Sequence, residues 1–156
     1  MESLPMITGA TLNAPKKVPS EVHPDCVVCG ANHLSGLQLE FTLLEDGSVQ
    51  ATFECCEALQ GYPGLLHGGV ISALLDGAMT NCLFANGQQG VTGELKVRFR
   101  HPVVINRAAI VQAWIDRPTP PFHVLQAELI QDEWLKAKAT GKFMQRSHFE
   151  AKQRHG

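Results

Sequence analysis

The sequence predicts a single α+β domain in which one long buried helix is wrapped by an antiparallel sheet of about six strands. Three observations predict it. A proline-free run from His67 to about Phe84 is rich in Leu and Ala and ends at Asn86-Gly87, a helix stop. Two runs before it and four after it carry strand signals, most of them the two-residue alternation of a half-buried strand. The helix is apolar nearly all round, so it belongs in an interior rather than on a surface. One helix cannot cover both faces of six strands. The sheet must therefore curl around it, and its other face must carry charge or meet a partner. A chain of 156 residues is long enough to bury such a core in one domain.

Residues 1–25 carry Pro5, Pro15, Pro19 and Pro24 without periodicity and read as an irregular arm. The domain proper spans 26–145. Leu37, Leu39, Phe41 and Leu43 alternate with Gln38, Glu40 and Thr42; Asp46-Gly47 marks a hairpin turn; Val49, Ala51 and Phe53 resume the alternation. Gln60 to Gly64 is a loop leading into the helix. Beyond the helix, Val91 to Arg100 sets Leu95, Val97 and Phe99 against Lys96, Arg98 and Arg100. Ala108 to Ile115 is apolar on both faces, and Phe122 to Ile130 follows a turn at Pro118-Thr119-Pro120-Pro121. Trp134 to Met144 sets Leu135, Ala137, Ala139 and Phe143 against Lys136, Lys138 and Lys142. Residues 146–156 form a polar tail.

A net charge of −2 and the lack of any Lys/Arg run argue against a nucleic-acid partner. The N-terminal residues do not read as a signal peptide. The apolar stretch Val70 to Phe84 is interrupted by Ser72, Asp76, Thr80 and Asn81 and is short for a bilayer, so no membrane partner is expected. Five cysteines, two of them adjacent (Cys55 and Cys56), fit reduced thiols and a cytoplasmic setting. His23, Cys26, Cys29 and His33 fall within eleven residues and look like half of a zinc knuckle. No second Cys pair accompanies them, which favours small apolar core cysteines. Neither a metal nor another cofactor is expected. Cys55, Cys56 and Cys82 read as bystanders, with no His partner nearby in sequence.

Chemistry is concentrated in Leu66-His67-Gly68-Gly69-Val70 and Leu75-Asp76. Two glycines belong at a helix start, where the backbone can approach a ligand and free N–H groups sit at a positive helix end. A carboxylate among Leu and Ala is costly to bury without a reason. The pair points to chemistry at a carbonyl. Nine helical residues put Asp76 about 13.5 Å from His67 and half a turn away, so the two cannot meet within one chain. Plainer readings stand beside this one. Asp76 could bond backbone or a neighbouring hydroxyl such as Thr80, His67 could order its loop, and the glycines could merely allow a turn.

The motifs Gly61-Tyr62-Pro63-Gly64-Leu65-Leu66-His67-Gly68-Gly69-Val70 with Leu75-Asp76, Val91-Thr92-Gly93-Glu94-Leu95-Lys96-Val97-Arg98-Phe99 with Pro102-Val103, and Cys26-Val27-Val28-Cys29-Gly30 with Gly36-Leu37 resemble the hotdog-fold acyl-CoA thioesterases of PaaI type. The resemblance covers roughly Asp25 to Met144. It implies hydrolysis of acyl-CoA to free acid and CoA, without cofactor, by a homodimer or a tetramer of two dimers. It implies Asp76 as nucleophile or general base, the Gly69 N–H polarising the thioester carbonyl, His67 ordering the loop, and the Thr92 hydroxyl placing water. Gln60 is the nearest candidate for a second carbonyl donor, because Gly61 stands where one subgroup has Asn. Gly68, Leu66 and Val70 would line the acyl site, and Arg98 or Arg100 would meet the CoA phosphates. Two other readings use the same fold: an acyl-CoA or acyl-ligand sensor without catalysis, and a dehydratase or hydratase.

Overall fold

The computed structural model describes residues 15–155, so the first fourteen residues of the expected arm lie outside the described residues. The strands are β1 (Lys16–Lys17), β2 (Thr42–Leu43), β3 (Val49–Glu54), β4 (Gly90–Phe99), β5 (Ala108–Thr119), β6 (Phe122–Gln131) and β7 (Trp134–Gln145). The helices are α1 (Gly68–Ala85) and α2 (Arg146–Arg154). All seven strands form one antiparallel sheet in the order β1-β2-β3-β5-β6-β7-β4. The architecture is thus α+β as expected, with a sheet of seven strands rather than about six. The extra one is β1, two lysines of the arm that pair with β2.

The alternation in the sequence becomes the two faces of this sheet. Val49, Ala51, Phe53, Val111, Ala113, Leu125, Ala127, Leu129, Ala137 and Ala139 turn inward and are buried with Leu74, Leu75, Ala78, Met79 and Leu83 of α1. The helix is long and apolar enough to cross a membrane by composition (18 residues, mean hydropathy 1.3), but here the sheet encloses it. Its far end is capped by Asn86, whose side chain donates to Gly47 O (3.0 Å) in the β2–β3 turn and to Cys82 O (2.8 Å). The outer face carries polar ladders: Gln112 to Glu128 (3.1 Å), Thr140 to Gln126 (2.9 Å) and Lys138 beside Glu128 (3.7 Å).

Leu37 to Phe41 does not form the expected strand, although Leu39 and Phe41 are buried as the alternation implies. The backbone N–H groups of Leu37 and Leu39 donate to Val27 O (2.8 Å) and Val28 O (2.9 Å) instead. The Cys26–Gly30 turn has claimed them, which leaves only Thr42–Leu43 for the sheet. The polar tail folds as α2, with an Arg146–Glu150 ion pair (2.8 Å) at helical spacing.

Candidate active site

Backbone bonds fix the entry to α1. Leu66 N–H donates to Val103 O (2.8 Å) and His67 N–H to Leu59 O (3.0 Å). Gln60 Oε1 accepts from Gly64 N–H (3.1 Å), which orders the loop before the helix. His67 is the N-cap residue, extended at φ −63° and ψ 134°. Its Nδ1 accepts the Gly69 N–H at 2.8 Å, so the ring plays the part usually taken by a Ser or Asp side chain. A Cβ on Gly69 would lie 3.0 Å from that nitrogen, and one on Gly61 would lie 3.2 Å from the ring. The Gly69 N–H, expected from the sequence to meet a carbonyl, is thus engaged by the His67 ring.

A cleft of about 730 Å³ opens beside this helix start. Leu65, Leu66, Ile71, Phe99 and Val103 give it apolar walls, with His67 and Gly68 at the helix end and Arg100 as its cation. Tyr62, 82% exposed, and Phe99, 53% exposed, are large apolar surfaces held open to solvent. Tyr62, Phe99 and Ile71 were not singled out from the sequence. Only the Tyr62 position within the glycine-rich loop could have pointed to one of them.

Two turns further along α1, Asp76 Oδ1 accepts the Thr92 hydroxyl at 2.7 Å. The carboxylate is partly buried. Thr80 donates to the backbone oxygen of Asp76 (3.0 Å) rather than to its carboxylate. Simple alternation would turn Thr92 away from the helix, together with Lys96 and Arg98. A bulge reverses this: Thr92 pairs with Phe143 and Glu94 with Lys142, leaving Gly93 as the extra residue. Thr92 thereby faces the interior with buried Phe143.

The residues expected from the sequence fall into two groups. Leu66, His67, Gly68 and Arg100 line the cleft, with Gly69 bonded to His67 beside it. Asp76 and Thr92 form the second group. Gln60 holds the loop through Gly64, while Val70 and Arg98 are absent from the cleft lining. Some eight helical residues, about 12 Å, separate Gly68 from Asp76. Burial pushes the Cys29 and Cys55 thiols up to about 11 and Cys82 to about 12, which keeps them protonated and poor nucleophiles at neutral pH.

The sequence profile of the Thioesterase superfamily matches residues 63–133, the span that holds the helix start, Asp76 and Thr92. Over that span, which is less than half of the chain, the sequence is similar to the Thioesterase superfamily. Acyl-coenzyme A thioesterase THEM4 of Bos taurus is 27% identical over 114 residues, which are 70% of this chain and 47% of that protein. The chain thus spans about half the length of this curated relative. The Escherichia coli PaaI protein from the phenylacetic acid degradation operon matches at TM-score 0.65 and 17% identity, over 70% of this chain and 80% of that one. The protein smu.793 of Streptococcus mutans UA159, solved bound to acetyl CoA, matches at TM-score 0.65 and 19% identity, over 69% and 87% of the two chains. At these identities the two solved structures share the hotdog fold with this chain.

Proposed function

We propose that this protein hydrolyses acyl-CoA thioesters to a free acid and CoA, with Asp76 as the base or nucleophile. The observation that carries the reading is the 2.7 Å bond from Thr92 to Asp76 on the helix whose start bears the glycine pair. With one oxygen fixed by Thr92, the other faces its reaction partner in a defined direction. As a base it takes a proton from water while the water oxygen adds to the carbonyl carbon. The tetrahedral intermediate then expels the CoA thiolate, which recovers that proton. The carbonyl oxygen takes the Gly69 N–H from His67 Nδ1, at the positive end of α1. The apolar cleft receives the acyl chain, and Arg100 meets a CoA phosphate. The bovine relative is an acyl-coenzyme A thioesterase and the streptococcal protein was solved with acetyl CoA, and both support this substrate class.

The working unit in this reading is a dimer. The two groups lie too far apart along α1 to share one carbonyl, so Asp76 of one copy serves the helix start of another. Among the described residues β4 is an edge strand, bonded only to β7, and it carries Thr92. Pairing of two such edges would join the sheets next to Asp76. Five free cysteines support a reducing compartment such as the cytoplasm.

The test is release of free thiol from short, medium, long and aromatic acyl-CoAs by the wild type and Asp76→Asn. The substitution keeps size and the acceptor for Thr92 while removing the charge. Loss of a general base lowers kcat by about 10²–10⁴-fold. Wild-type turnover that survives in Asp76→Asn within tenfold would refute the assignment. The absence of turnover, with tight acyl-CoA binding, would favour a sensor.

A further inference from the structure

We propose that His23, Cys26 and Cys29 form a binding site for a thiophilic divalent cation, zinc by its donor set, which clips the N-terminal turn onto α1. The sequence alone favours core cysteines here, because no second Cys pair is present. The geometry points elsewhere. His23 Nδ1, Cys26 Sγ and Cys29 Sγ all lie within 4.8 Å of one another. The Nδ1 to Cys29 Sγ separation is 3.8 Å. In a tetrahedral zinc site, with bonds of about 2.3 Å to sulfur and 2.0 Å to nitrogen, neighbouring ligand atoms sit about 3.5–3.8 Å apart. One edge of the triangle is thus close to coordination distance. The widest needs to close by only about 1 Å. Two thiolates and an imidazole suit zinc, and a fourth position remains for water.

The turn around these atoms is built in a way that bystander cysteines do not require. Gly30 N–H donates to Cys26 O (2.8 Å) and closes the turn. Val28 N–H is directed at Cys26 Sγ (3.4 Å), the kind of donor that supports charge on a metal-bound thiolate. A Cβ at Gly30 would lie 2.4 Å from Cys26 N and 2.6 Å from Pro24 O, so the residue after the second cysteine has to be glycine. The His23 ring stands edge-on to Phe84 of α1 at 5.0 Å, which fixes its direction. Leu37 and Leu39 are bonded back to Val27 and Val28, so the whole segment is ordered before any metal arrives.

The position of the site gives it a role. Val28, between the two cysteines, packs against Gly77, the neighbour of Asp76; a Cβ on Gly77 would lie 2.5 Å from Val28 Cγ1. A cation at His23, Cys26 and Cys29 would hold this turn on the helix turn that carries the carboxylate. The role is structural, and it stands whether or not the hydrolase reading does.

The full-length protein, reduced and freed of metal with a chelator, would be titrated with Co²⁺ and then Zn²⁺. We expect one Co²⁺ per chain, with a thiolate-to-cobalt charge-transfer band and the visible bands of a tetrahedral centre, all displaced by Zn²⁺. Cys26→Ser and Cys29→Ser should each weaken binding at least tenfold. His23→Ala should alter the visible bands, and Cys56→Ser, at the exposed cysteine, should change nothing. Zn²⁺ should raise the melting temperature of the wild type, not of Cys29→Ser. If the serine variants do not fold, the wild-type spectrum and stoichiometry decide alone. No charge-transfer band, or a band that persists in a Cys26→Ser/Cys29→Ser protein, would overturn the proposal. A mass two hydrogens lighter without added reductant, together with no uptake of metal by the reduced protein, would replace the site with a Cys26–Cys29 disulfide.

Discussion

Removing the Thr92 hydroxyl isolates the geometric core of the proposed mechanism. Thr92→Val keeps shape and strand propensity and deletes one donor, the O–H that meets Asp76 Oδ1 at 2.7 Å. A hydrogen bond to a charged group is worth about 1.5–3 kcal/mol. If that bond is what aims the carboxylate, most of its worth is felt in the transition state. At about 1.36 kcal/mol per decade, kcat/KM then falls roughly ten- to hundredfold. Water can reach the partly buried carboxylate, so the loss sits toward the lower end of that range. The assay is free-thiol release at saturating and limiting acyl-CoA, with a melting curve for each protein. The decrease should appear in kcat more than in KM, and Thr92→Ser should recover most of it. A Thr92→Val enzyme within threefold of wild type, with a native melting temperature, would refute the positioning role. So would Thr92→Ser and Thr92→Val losing activity equally.

Three further outcomes follow from packing and protonation elsewhere. His123 is 3% exposed and neither ring nitrogen has a partner among the described residues, so burial lowers its pKa below the usual 6.5. The unfolded chain then binds the extra proton; stability is complete above pH about 6.5 and declines as pH falls toward the folded-state value, by up to about 1.4 kcal/mol per pH unit. Thermal melts between neutral and mildly acidic pH should show this slope and should lose it in His123→Phe; an unchanged slope would show that other groups control it. Gln131, 1% exposed, bonds both Val104 N–H and Val104 O at 2.8 Å, so Gln131→Leu should cost about 2–4 kcal/mol in urea unfolding, and a cost below about 0.5 kcal/mol would mean the loop re-pairs with water. Gly77→Ala gains about 1 kcal/mol of helix propensity but overpacks against Val28 by about 1–3 kcal/mol, so a small net loss of stability is expected, recovered by Val28→Ala in the same chain; no recovery would mean that the clash lies elsewhere.

The sequence by itself determined the elements whose signals are local. The helix read as His67 to Phe84 is Gly68–Ala85, and the run read as Trp134 to Met144 is Trp134–Gln145, because side-chain period and the end residues act within a few positions. It also marks Asp76 and Gly69, since a carboxylate in an apolar helix and a glycine pair at its start are anomalies of local chemistry, while Thr92 enters only through the family resemblance. What it could not supply came from contacts distant in the chain. The Cys26–Gly30 turn takes the backbone bonds that Leu37 and Leu39 would have given to a strand. The bulge at Gly93 turns Thr92 toward Asp76 against its own alternation, and depends on register with β7 some fifty residues away. Arg100 joins the cleft while Arg98, two residues back, does not: the regular β4–β7 register ends at Phe99 and Ala137, and beyond it the Arg100 and His101 N–H groups share Lys136 O (2.8 and 3.1 Å). Each of these turns on a hydrogen bond whose partner lies outside the local segment and is chosen by the tertiary fold, and periodicity carries no information about that choice.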